Sequence, residues 1–372
     1  MADCCYIHIP FCSGKCKYCT FVSFNKPELI TGYIFSLLKE IDSNYKGEKL
    51  KTLYLGGGTP SLIPADLLRK IVNKFSFCDD AEVTIELNPE NGQKDYLKEL
   101  YNIGFNRLSI GSQTFNDDTL KLIGRRHDSK DIINTVNNAK TSGFKNISLD
   151  LIYGLPNQTI NDLQDDLKKF LEFNIQHIST YGLKIEGGSY WGTYPPENVP
   201  DDDKQADMYE AVNEILTKAG YERYEVSNFA KPGYESRHNL TYWNNNEFYG
   251  FGVSAHGYVD GIRYSNHCTL EEYLANPLSR EYGRILNRQE KLEEEIFLGF
   301  RKTEGVNTEK IKQKFGVDFE EKYKDIMQKY SDYIIKTEIG YAFNLKGTML
   351  SNEILPEFLE DKNTDGESDS ES

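Results

Sequence analysis

The chain has 372 residues, with 43 basic against 58 acidic side chains and a net charge of −15. That balance argues against a surface that grips duplex nucleic acid by neutralising phosphates, and the length allows one large domain plus a small one. With neither a leader-like apolar segment nor an apolar run of about 18 residues, a cytoplasmic protein that is neither exported nor membrane-spanning is expected. Seven cysteines in a reducing compartment then point to metal binding rather than disulfides.

In chain order, short β-branched or aliphatic runs alternate, up to about Ser227, with longer segments whose apolar residues recur every three or four positions. Strands are predicted at Cys5–Ile9, Thr52–Leu55, Glu82–Leu87, Arg107–Ile110, Ile147–Ile152 and His177–Leu183. Helical patterns lie between them, such as Leu29, Tyr33, Leu37, Leu38 and Ile41, or Leu163, Leu167, Phe170 and Leu171. Parallel strands joined by crossover helices in about six units fall short of a complete eight-fold barrel. The expected fold class is therefore α/β, a partial (β/α)6 TIM-like barrel over residues 1–226. Residues 227–290, rich in aromatic residues, Gly and Asn, read as a cap region. From about Lys291 the helical pattern returns (Leu292, Ile296, Phe300, Ile311, Phe315) and closes on a hairpin, Tyr333–Ile335 with Tyr341–Leu345. This predicts a small C-terminal winged-helix-like domain over 291–359. Residues 360–372 are acidic and too poor in apolar side chains to bury surface, so a disordered tail is expected.

In α/β folds of this kind the loops at the C-terminal ends of the strands carry function, and the unusual residues cluster there. After the first strand come Cys12, Cys16 and Cys19 in CxxxCxxC spacing. Three thiolates on one loop are one short of the set that closes an ordinary [4Fe–4S] site, which suggests a cluster with one iron open to another ligand. A structural zinc site, or three unrelated thiols, are the alternatives; no second CxxC pair exists to complete a zinc site. Cys4, Cys5, Cys78 and Cys268 have no motif spacing and read as packed thiols. After the second strand, Gly56-Gly57-Gly58-Thr59-Pro60 lets backbone approach a ligand closely. It lacks the Lys-Ser or Lys-Thr of a triphosphate loop. Glu86 ends the third strand, where a carboxylate suits an ammonium or ribose hydroxyl. Gln113, Arg125 and Asp150 hold comparable positions.

The ordered series YIHIPFCSGKCKYCTF, LYLGGGTPSLI, TIELNPE, RLSIGSQTFNDDTLKLIGRRHD, SLDLIYGLPNQT and RHNLTYW resembles the radical S-adenosylmethionine superfamily, from about residue 5 to 359. Within it, the series is similar to the branch that holds oxygen-independent coproporphyrinogen III oxidases and haem chaperones. The resemblance implies one [4Fe–4S] cluster on Cys12, Cys16 and Cys19, with the amine and carboxylate of S-adenosyl-L-methionine on the fourth iron. Tyr6 and Tyr18 would border cluster and cofactor. Gly57, Gly58 and Thr59 would receive the methionyl part, and Glu86, Gln113, Arg125 and Asp150 the remainder. Lys184 and His256 are weaker matches.

Departures from the oxidase pattern favour the chaperone. Oxidases place a further Cys two residues beyond the third ligand and carry an N-terminal extension; here Thr20-Phe21 follows Cys19, and four residues precede the first predicted strand. The chaperone branch also carries HNxxYW, present as His238 to Trp243, and this implies His238 as a haem contact. The expected cofactors are thus the cluster, S-adenosyl-L-methionine and haem, and the expected partners are haem and haem-receiving client proteins, with no nucleic acid. Membrane-surface delivery and a homodimer stay open. No catalytic residue is assigned. The alternative function is the oxidase itself, which decarboxylates coproporphyrinogen III by radical chemistry.

Overall fold

A computed structural model describes residues 1–360; the tail expected over 360–372 lies, beyond Glu360, outside the described residues. Strands β1 (Cys4–Ile9), β2 (Lys49–Gly57), β3 (Ser76–Leu87), β4 (Arg107–Gln113), β5 (Asn146–Tyr153) and β6 (His177–Gly182) lie side by side in chain order. All five neighbouring pairs are parallel. The connections carry the predicted helices. In Ile30–Asn44 the spacing of Tyr33, Ile34, Leu37 and Ile41 makes one buried stripe, and capping boxes at Asp128 and Thr159 start Ser129–Ser142 and Ile160–Glu172.

Successive side chains of a strand point to opposite faces, and here the two faces differ in kind. Ile7, Leu53, Leu55, Ile85, Leu108, Leu149 and Ile178 belong to the main apolar core, each burial worth about 1.5–3 kcal/mol. The other face carries Tyr6 and His8, Thr52 and Tyr54, Thr84 and Glu86, Arg107 and Ser109, Ser148 and Asp150, and His177 and Ser179, and encloses a polar interior.

Of the expected cap region 227–290, all but 243–245 and 286–290 falls in the first compact unit. Residues 227–242 and 246–285 belong to the same compact unit as 1–223. They extend the sheet at both edges: β8 (Asn228–Ala230) pairs antiparallel with β6 and with β7 (Glu222–Arg223), and β9 (Tyr249–Phe251) pairs parallel with β1. Strands of three residues are too short to display an alternation in sequence. A separate antiparallel sheet joins β10 (His256–Val259), β11 (Ile262–Ser265) and β12 (Tyr282–Ile285).

The second unit comprises Tyr224–Val226, Trp243–Asn245 and the described residues from Leu286 onward. It holds helices Arg288–Gly299 and Thr308–Phe315 and a three-stranded sheet of β13 (Val306–Asn307), β15 (Gly340–Phe343) and β14 (Ile334–Lys336) in that order. Phe300, Phe319, Phe343 and Phe358 form its core, the rings of Phe300 and Phe343 lying 4.5 Å apart. No helix of the described residues is long and apolar enough to cross a membrane.

Candidate functional site

Because β1–β6 are parallel, their C-terminal ends share one rim, and there the polar interior opens into a cavity of about 360 Å³. Cys12, Cys16, Cys19, Tyr18, Gly57, Gly58, Thr59, Glu86, Gln113, Arg125, Asp150 and Lys184 all line it. Residues that are up to 172 positions apart in the chain thus meet at one place (Cys12 to Lys184).

Backbone hydrogen bonds hold the cysteine loop at several points. Cys12 N–H donates to Phe24 O at 3.1 Å, Lys17 N–H to Ile123 O at 3.0 Å, and Trp191 N–H to Lys17 O at 2.9 Å. Arg126 donates to Ser13 O at 2.8 Å. Burial raises the Cys16 and Cys19 thiols above the ordinary cysteine range, with Arg125 beside Cys16 pulling the other way. Among the described residues no three His, Cys, Asp or Glu side chains converge on a single ion. Thiols spread along one loop suit a polynuclear cluster, in which each iron takes its own thiolate, better than a closed zinc site.

The glycine loop approaches the cysteine loop because it lacks side chains. A Cβ on Gly58 would lie 2.7 Å from Phe11 O, and one on Gly57, at φ +115°, would lie 2.5 Å from the His8 ring. A hydrogen-bonded chain then crosses the cavity wall. Thr59 Oγ1 donates to Cys12 Sγ at 3.4 Å and accepts from Asn88 Nδ2 at 3.0 Å; Arg125 donates to Asn88 Oδ1 at 2.9 Å and to the Tyr18 hydroxyl at 2.8 Å. The buried Arg125 Nε has no partner among the described residues, which leaves a donor at this wall.

Glu86 accepts from the Tyr54 hydroxyl at 2.8 Å and from Gly57 N–H at 3.0 Å. Burial nevertheless pushes its carboxyl up to about 7. Asp150 is raised as well, mainly by burial, and accepts from Ser109 Oγ at 3.3 Å. Gln113 sits after an irregularity in the β4–β5 register at φ +68°, a left-handed conformation that costs a non-glycine residue about 1–3 kcal/mol and marks functional positions.

Three expected residues stand elsewhere. Tyr6 lies in mid-strand rather than at the rim; its hydroxyl meets His8 Nδ1 at 3.0 Å, its ring faces that of Tyr54 at 6.2 Å, and it does not line the cavity. His256 starts β10 and pairs with Ser265. His238, on the helix Arg237–Trp243, is 1% exposed. Its Nδ1 meets Thr52 Oγ1 at 2.7 Å, its Nε2 meets the Tyr242 hydroxyl at 2.7 Å, and its ring stacks on Tyr54 at 5.0 Å. Burial holds its imidazole down at about 3. In this structure both ring nitrogens are hydrogen-bonded and the ring is buried, which counts against the expectation of His238 as a haem contact. Conversely, Asn88, Tyr54 and Ser109 went unassigned. Asn88 lies inside TIELNPE, one of the segments that carried the resemblance, and Tyr54 and Ser109 share the strand alternation of Glu86 and Asp150.

Residues 6–170 match the Radical SAM superfamily and residues 286–332 the HemN C-terminal domain. The protein of Lactococcus lactis named heme chaperone HemW is 40% identical over 96% of this chain and 97% of its own length. The chain belongs to the HemW family of radical SAM proteins. The Bacillus subtilis member is 36% identical, over 95% of this chain and 98% of its own. In fold the chain is similar to the coproporphyrinogen III oxidase HemN of Escherichia coli, with a TM-score of 0.85, 24% identity and coverage of 96% and 90%. Membership of the superfamily implies an iron–sulfur cluster and S-adenosylmethionine.

Proposed function

We propose that this protein is a haem chaperone of the cytoplasm, which binds haem and passes it to client proteins. What carries the reading is likeness to proteins named heme chaperone along nearly the whole chain, 96% of it at 40% identity. The Thr20-Phe21 step after Cys19, where oxidases have a further Cys, agrees with it.

Cys12, Cys16 and Cys19 hold three irons of one [4Fe–4S] cluster, and the anchored loop presents them on one side of the cavity. Gly57 and Gly58 accept the methionyl part of S-adenosylmethionine against bare backbone. Glu86 and Asp150 are acceptors for its ammonium and ribose hydroxyls, and Gln113 and Arg125, with its spare Nε–H, are donors. When bound, the cluster and the sulfonium together supply an electron transfer able to break a C–S bond. The chain's own part is to orient the cofactor and keep water from it.

Anaerobically reconstituted protein, incubated separately with haem and with coproporphyrinogen III, tests the reading. Stoichiometric haem retention without decarboxylation is expected; robust formation of protoporphyrinogen IX would replace the chaperone with the oxidase.

A further inference from the structure

Above the cavity the chain leaves large apolar side chains in solvent. Phe21, two residues past Cys19, is 63% exposed, and Tyr181, near the end of β6, is 42% exposed. Both line the cavity. On the short helix Tyr190–Thr193, tied to the cysteine loop through Trp191 N–H, Tyr190 is exposed as well, with its ring 5.1 Å from that of exposed Tyr194. Of these exposed rings Phe21 and Tyr181 line the cavity, and exposed apolar groups at a cavity mark a binding surface.

Charge singles out the same place. Lys15 and Lys184 line the mouth, both are exposed, and neither ammonium has an ion-pair partner among the described residues. Exposed Glu186 lines the same cavity, as do Glu86 and Asp150. In a chain of net charge −15, two unpaired ammonium groups beside exposed rings select a flat apolar ligand with anionic substituents.

Volume says where such a ligand lies. The cluster and S-adenosylmethionine are assigned to the cavity itself, of about 360 Å³, at the low end of the range of about 300–1,000 Å³ for ligand pockets, so the exposed rim is the surface left for a tetrapyrrole. We propose that haem docks over the mouth of the barrel, its macrocycle against Phe21 and Tyr181 and its two propionates on Lys15 and Lys184. This rests on the chaperone reading and gives the haem a site that does not depend on His238.

The test uses the reconstituted full chain and three probes: haem, followed by absorption; iron-free protoporphyrin IX, followed by fluorescence; and the uncharged dimethyl ester of protoporphyrin IX. Lys15→Glu with Lys184→Glu is expected to weaken haem and protoporphyrin IX by about tenfold, through repulsion of the propionates, and to leave the ester unaffected. Phe21→Ala is expected to weaken all three by about fivefold, as the loss of one aromatic contact does. Lys15, Lys184 and Phe21 are all exposed, and thermal unfolding with iron and sulfide content checks that the variants keep the fold and the cluster. Wild-type affinity for haem in both variants overturns the rim site and leaves the chaperone standing. So does a loss confined to haem with the iron-free macrocycle unaffected, because stacking and propionate contacts do not need iron. Failure of the wild-type protein itself to bind haem overturns the chaperone reading.

Discussion

At the C-terminal ends of β1–β6 the polar interior opens into a cavity where carboxyls, an amide and a guanidinium converge with donor and acceptor capacity to spare. Further back along the same strands, the helix Arg237–Trp243 lies against Thr52 and Glu82. There Glu82 takes the N–H groups of Arg237 and His238 at 3.2 and 3.1 Å, and His238 is bonded through both ring nitrogens. The two regions share strands, alternation and residue types. They differ in what is left over once the internal hydrogen bonds are made: both ring nitrogens of His238 are used, whereas Arg125 keeps a free Nε donor at the cavity wall. Tyr54 links them, with its ring on His238 and its hydroxyl on Glu86.

The largest expected effect lies at the mouth. Replacing Cys12, Cys16 or Cys19 with Ala should abolish the iron–sulfur cluster, measured as iron and sulfide content and the visible absorption, while Cys4→Ala, whose thiol lies 3.1 Å from Thr241 Oγ1 beside the helix, should retain it. Full iron content after loss of any of the three would break the distinction between the regions.

His238→Ala should act on stability. It strips two buried hydrogen bonds and an aromatic contact, a loss of about 2–4 kcal/mol by urea unfolding. Haem bound by the folded variant should keep the wild-type absorption spectrum. A changed haem spectrum at unchanged stability would restore His238 as an iron ligand and reverse the comparison.

Glu86 should make cofactor binding depend on pH. Its carboxyl, raised to about 7 by burial, holds a proton below that pH, and a cationic ligand must expel it. Affinity for S-adenosylmethionine should therefore fall by up to about tenfold per unit as pH drops below 7, and Glu86→Gln should flatten the profile while weakening binding at pH 8. Isothermal titration giving the same slope in both proteins would remove Glu86 from the site.

The smallest effect belongs to the closed end. His238 stays neutral in the fold down to about pH 3, whereas in the unfolded chain it protonates near 6.5. Its contribution is fully present above pH 6.5 and is lost as pH falls toward 3. His238→Asn should thus reduce the acid sensitivity of stability by up to about one proton's worth of slope in that window. An identical slope in both proteins would mean that His238 is already charged in the native state.

How much of this was legible follows from range. The six central strands, the cysteine spacing and the glycine loop are local patterns, and the convergence of their loops follows from parallel order, so Cys12, Gly57, Glu86, Gln113, Arg125 and Asp150 were all placed at one mouth. Tyr6 and His238 were not, because a motif says which residues recur together and not which way a side chain turns. The edge strands β8 and β9 escaped for another reason: three residues carry too little alternation to read, and only pairing with β6 and β1 makes them strands.

What the sequence determined by itself was the set of elements and the chemistry available to them, because periodicity and spacing are written in adjacent residues. Tertiary structure alone decided which polar groups were used up. The closing of His238 between Thr52, Tyr54 and Tyr242, and the opening left around Glu86 and Arg125, depend on side chains brought together from strands and a helix as many as 190 positions apart (Thr52 to Tyr242). Hydrogen-bond satisfaction is a property of such three-dimensional neighbourhoods, which no stretch of sequence contains.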